Sequence, residues 1–204
     1  MRAMPKTVDR EEQRRQIGAA LLQLVSERGL DEVSVRTVAA ATGRSPGAVQ
    51  KYFRTKDEML TFAAELAGER IERRMAGVDT TLPLRRALRE LILTTLPVDA
   101  ERRAEATAQL AFAVHAAHHP RLAAIRRQVD QDVRQALAAW LETAGHGTDA
   151  AAVADAVIAL SDGLALRMLY TPQEHERLLV ALDRALDALV TARDSPGERL
   201  SGRR

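Results

Sequence analysis

Apolar residues recur three and four positions apart along almost the whole chain. Between residues 10 and 28, Ile17, Leu21, Leu24 and Val25 share one face with charged residues opposite, the spacing of an amphipathic helix. Asp9 is placed to cap this helix and Gly29 to end it. Short helices are predicted at 34–41 and 45–51, with a turn at 42–44; Ser34 and Ser45 suit N-caps, and Pro46 suits a first helical position. The run Thr55, Lys56, Asp57, Glu58 reads as a capping box opening a helix to residue 75. After a loop at 77–81, helices are predicted at 83–96, 100–117, 120–144 and 149–170, with a break at Gly145–His146–Gly147. A second capping box, Thr171 to Glu174, opens a last helix to about residue 193. No stretch alternates apolar and polar residues as a half-buried strand would. The pattern therefore predicts an all-α fold of about nine helices without an internal repeat.

Composition narrows this picture. Apolar residues make up 46% of the 204, yet aromatics only 3%, so the core must be built from Ala, Leu and Val. The chain has no cysteine, which excludes disulfides and thiolate metal sites and suits a reducing compartment. It has neither a signal-peptide pattern nor an apolar run of about 18 residues, so no membrane partner is expected and the reading is cytoplasmic. Net charge is only +2, but it is unevenly spread: residues 1–56 hold eleven Lys and Arg against six Asp and Glu, a local +5 that leaves −3 for the rest. A basic end on a mildly acidic body points to a polyanion at that end.

The segment 33–53 lies within that basic end. Val35, Val38 and Ala39 form the inner stripe of its first short helix, Gly43 stands at the sharp turn, and Val49 and Phe53 face inward from the second. Ser45, Gly47, Ala48, Gln50 and Lys51 are left facing outward. Small residues beside hydrogen-bond donors are what a helix needs to enter a major groove. A plain helical hairpin would show part of the same pattern, but Tyr52 to Leu60 continue it. With Thr37, Ala41, Gly43, Ser45, Gly47, Phe53, Lys56 and Leu60 in matching places, residues 10–65 resemble the TetR family of one-component regulators. The resemblance implies a helix-turn-helix DNA-binding domain at 10–56, preceded by a flexible arm at 1–9. It assigns Arg36, Thr37 and Lys56 to phosphates and places Tyr52 beside the DNA backbone. Two positions depart from the family pattern: Gln50 stands where a tyrosine is usual, and Arg44 where a small apolar residue is usual. Either side chain has donors for a base edge or a phosphate.

The resemblance also implies a ligand-binding and dimerisation domain at 57–193, followed by a disordered tail at 194–204. Its features near 111–116, 119–122 and 162–165 are similar to the BetI-like subgroup. The helix at 149–170 is apolar on two sides, so it needs two partners. Val153, Val157, Leu160 and Leu164, with Leu178, Leu182, Ala185 and Leu189 of the last helix, are the expected homodimer interface. A two-fold dimer would read an inverted repeat in double-stranded DNA. Candidate contacts for an unknown small-molecule effector are Phe62, Gln109, Phe112, His115, Trp140, Asp162, Arg167, Met168 and Tyr170. His115 and His119 have the spacing of a helical metal pair, but Pro120 should break that helix and no carboxylate follows until Asp130. No metal, cofactor or catalytic residue is therefore expected. The leading expectation is a ligand-released repressor; a helical adaptor that no longer binds DNA is the second, and an all-helical enzyme a distant third.

Overall fold

The computed structural model describes residues 6–146 and 149–191. The five residues that open the expected arm, residues 147 and 148 of the expected break, and the expected disordered tail lie outside the described residues. Nine α-helices and no strand occur among the described residues: α1 (Lys6–Arg28), α2 (Val35–Ala41), α3 (Pro46–Gln50), α4 (Lys56–Met75), α5 (Leu84–Leu93), α6 (Ala100–Ala116), α7 (Pro120–Thr143), α8 (Ala150–Tyr170) and α9 (His175–Thr191). Helix α1 begins at Lys6, so Asp9 lies within it rather than at its cap. At Thr171 the expected capping box is absent. The residue is not extended (φ −125°, ψ 60°), its hydroxyl donates back to the Arg167 carbonyl at 2.7 Å, and a single 3-10 turn, Pro172–Glu174, precedes α9.

Two apolar clusters hold the helices together. The first joins α1 to α4 with Ala108, Phe112 and Ala116 of α6 and Leu122 of α7. The second joins α5, α7, α8 and α9 around Leu88, Leu141, Met168, Leu178, Leu182 and Leu186. Arg85 and Arg89 of α5 both reach Asp183 of α9, at 3.2 and 2.9 Å. Helix α4 is tied to α6 by Glu105, a buried carboxylate that accepts from Arg74 and pairs with Arg70 at 3.6 Å. Burying a charge is costly unless it is paired and hydrogen-bonded, and two guanidinium groups meet that requirement here.

Helix α4 reaches the DNA-side helices through one unusually close contact. A Cβ built on Gly18 of α1 would lie 2.7 Å from Cε1 of Phe62 and 3.1 Å from Cδ2 of Leu66. The Phe62 ring has no room to yield, because Phe53 stands 5.3 Å from it and the Arg14 guanidinium lies 4.3 Å above its centroid. Phe62 is therefore a structural wedge between α1 and α4. Replacing Gly18 by Val should lower stability by about 1–3 kcal/mol, as overpacking does, which urea denaturation monitored by circular dichroism will measure.

Asp99 caps α6, its carboxylate accepting from the Arg102 backbone N–H at 2.8 Å. That bond, aided by the Arg102 side chain, holds its pKa below the usual aspartate range. A depressed folded-state pKa contributes stability above the unfolded value of about 3.9, and this is lost as pH falls through the folded one. Asp99→Ala should therefore cost about 1 kcal/mol at neutral pH. The gap between parent and variant in denaturation midpoint should narrow progressively below pH 4.

Candidate nucleic-acid interface

The two short helices are set by caps more than by length. The Ser34 hydroxyl accepts from the Thr37 N–H at 3.1 Å, and the Thr37 hydroxyl accepts from the Ser34 N–H at 2.9 Å. Helix α3 starts on Ser45, whose hydroxyl accepts from the Ala48 N–H at 3.2 Å, with Pro46 at its first position. Between them Gly43 takes φ +64°, a left-handed conformation that glycine adopts without strain. Val38, Ala39, Val49 and Phe53 are buried beneath. Arg36, Ser45, Gly47, Gln50, Lys51 and Arg54 are exposed, and a side chain added at Gly47 would meet nothing within 4 Å. Thr55 then caps α4 by accepting from the Glu58 N–H at 3.1 Å. The reciprocal half of that capping box is displaced by one residue, since the Glu58 carboxylate accepts from the N–H of Arg54 at 2.6 Å. Lys56 stands half-buried at the start of α4.

Several nominated residues have structural duties. The Thr37 hydroxyl donates to the Glu32 carbonyl at 2.7 Å as well as capping α2. Arg44 turns back onto α1, donating to Gln13 and, at 3.3 Å, to Gln16. Tyr52 packs against the first apolar cluster, and Ala48 is half-buried. Arg10, which sequence reasoning did not single out, donates to the Lys51 carbonyl at 3.5 Å. It joins the basic face through a contact between residues 41 apart in sequence, which no local pattern reveals.

The chain matches two family descriptions: bacterial regulatory proteins of the tetR family over residues 17–61, and the C-terminal part of BetI-type transcriptional repressors over residues 84–191. It is 32% identical to the HTH-type transcriptional regulator PksA of Bacillus subtilis (strain 168) over 174 residues, 83% of this chain and 84% of that one. The chain belongs to the TetR family. A transcriptional regulator from Rhodococcus sp. Rha1 is 38% identical and superimposes with a TM-score of 0.81, covering 88% of this chain and 96% of that one. A putative transcriptional regulator from Saccharomonospora viridis, solved in complex with choline, shares the fold at 21% identity and a TM-score of 0.74, covering 89% and 96%. This TetR-family chain is thus a DNA-binding transcriptional regulator with a helix-turn-helix.

In this TetR-family chain the nine nominated effector residues do not all gather in one place, although Gln109 and Asp162 both lie near Arg126. Phe62 and Phe112 are buried in the first cluster, whereas Met168 is buried in the second with Trp140 packed against it. Arg167 and Tyr170 are exposed, and Arg167 pairs with Glu174 at 3.7 Å. Gln109 bridges two helices, donating to the Ala64 carbonyl at 3.0 Å and accepting from Arg126 at 3.1 Å. Asp162 is exposed, yet partial desolvation raises its carboxyl pKa, opposed by Arg126 and reinforced by Asp130. A cleft of about 710 Å³ opens elsewhere, lined by residues such as Arg74, Arg86, Leu93 and Arg102 and by none of the nine.

The residues expected at the dimer interface divide between the protomer's core and its margin. Val157, Leu164, Leu178 and Leu182 are buried inside the protomer, where they form its second cluster. Val153, Leu160 and Leu189 pack against that cluster, and Ala185 is half-buried. The exposed apolar and small residues of the last two helices are Ala152, Ala159, Gly163, Leu166 and Tyr170 on α8, flanked by Asp155, Asp162 and Arg167, and Val180, Ala181 and Ala188 on α9, interleaved with Glu176, Arg177, Arg184 and Asp187. Pro120 does begin a new helix, but the His115 and His119 rings still lie 4.1 Å apart. A carboxylate reaches them from far away in sequence, as Asp57 lies 3.3 Å from Nε2 of His115.

Lys51 is exposed, whereas Arg44 is hydrogen-bonded to α1. Lys51→Ala should weaken binding to all DNA sequences alike and reduce the slope of log K against log salt by about one unit. Arg44→Ala, which removes a side chain engaged by α1, should leave that slope unchanged. Fluorescence anisotropy across a salt series distinguishes the two.

Proposed function

We propose that this regulator is a repressor that binds an inverted-repeat operator as a homodimer and is released by a small molecule. The observation that carries the dimer is the exposed stripe of small and apolar residues along α8, Ala152, Ala159, Gly163, Leu166 and Tyr170, bordered by charged side chains. Small side chains let helix backbones approach closely, and an exposed apolar stripe of this kind marks an association surface. Its position on α8 leaves the basic face of α2 and α3 clear for DNA. A two-fold pair would set two copies of α3 on successive major grooves, about 34–36 Å apart. Arg36, Ser45, Gly47, Gln50, Lys51 and Lys56 are the residues we assign to DNA, with Arg10 beside them.

Release by an effector follows if the effector binds more tightly to a conformation that spoils this spacing. The choline in the Saccharomonospora viridis protein supports a small-molecule site within such a fold. In this chain the polar contacts of Gln109 and Arg126, near Asp162, offer anchors between α4, α6, α7 and α8.

Gly163 provides the test, because an added Cβ there meets nothing within 4 Å in the protomer. Gly163→Arg should fold normally by circular dichroism, sediment as a monomer where the parent sediments as a dimer, and lose at least tenfold in affinity for an inverted repeat selected from genomic DNA. A parent that shows no salt-sensitive preference for any inverted repeat, or a variant that still dimerises, would reject the proposal.

A further inference from the structure

We propose that Asp57, His115 and His119 form a binding site for a first-row divalent metal ion of the zinc type, joining the start of α4 to the corner between α6 and α7. Their ligand atoms all lie within 4.8 Å of one another. The Asp57 Oδ1 to His115 Nε2 distance is 3.3 Å, already close to the separation of about 3.3 Å between neighbouring ligands around a tetrahedral ion with bonds of about 2.0–2.1 Å. His119 completes the group from the N-cap of α7, where its side chain makes no capping bond.

The donor set is chemically specific. Two imidazoles and one carboxylate suit zinc, and also cobalt and nickel, better than calcium or magnesium, which favour all-oxygen shells. Three protein ligands leave a fourth position for water. His115 is largely buried and Asp57 more exposed, with 23% and 57% of their side-chain surfaces accessible. The site is therefore walled on the protein side and open to incoming ions on the other. Without an ion, their side chains are joined by a hydrogen bond between Asp57 and His115 and a tilted ring contact at 4.1 Å between the two histidines. With one, the first turn of α4, one residue from Lys56, is cross-linked to a helix corner 58 residues away in sequence.

Untagged full-length protein is titrated with Co²⁺ and followed by visible absorption, and with Zn²⁺ against a chromophoric chelator. The parent should bind one equivalent per chain. Zn²⁺ should raise its melting temperature. Asp57→Asn, His115→Ala and His119→Ala should each lose the equivalent and the thermal shift, while His118→Ala keeps both. Circular dichroism establishes that each variant is folded. Failure of the parent to bind at micromolar ion, or binding that survives His119→Ala, overturns the site.

Discussion

The contact between Gly18 and Phe62 determines how the two parts of this molecule meet. Helix α4 belongs by sequence to the larger helical region, yet its Phe62 ring rests on the bare backbone of α1. Only glycine permits that approach, and Phe53 and Arg14 hold the ring in place from other sides. The Arg14 Nε is buried without a hydrogen-bond partner among the described residues, so the two aromatic faces receive its charge as cation–π contacts. The first apolar cluster consequently runs unbroken from α1 through α4 to Phe112 and Ala116 of α6.

What was legible in the sequence was what local chemistry decides. Ser34, Ser45, Pro46 and Gly43 specify two short helices and the turn between them within a dozen residues, and the structure forms them at those places. Thr171 shows the limit even there, since the same residue pattern that caps α4 at Thr55 fails where the backbone is not extended. The departures elsewhere come from contacts between distant segments. Arg44 looked free in sequence because Gln13 and Gln16 lie a helix away. Asp57 was overlooked beside the histidines for the same reason.

Helix α8 illustrates a different limit. A helix apolar on most sides offers several stripes, and hydrophobicity alone does not say which one the protomer consumes. Val157, Leu164 and Met168 go inward together with Ala150 and Ala154, whereas Ala152, Ala159 and Gly163 stay outside together with Leu166 and Tyr170. Residue size does not separate the two faces, and the charged Asp155, Asp162 and Arg167 all lie on the exposed side. The effector candidates scattered for a related reason: aromatic and polar residues within apolar stripes serve the two clusters or the surface, and nothing in their spacing brings them to one cavity.

Helix α4 is twenty residues long, about 30 Å at the usual rise, and is fastened at separate points along its length. Phe62 presses on α1 near one end, while Arg70 and Arg74 grip Glu105 near the other. A rod fastened at both ends joins the packing at Gly18 to the charge pairing at Glu105 through one continuous element.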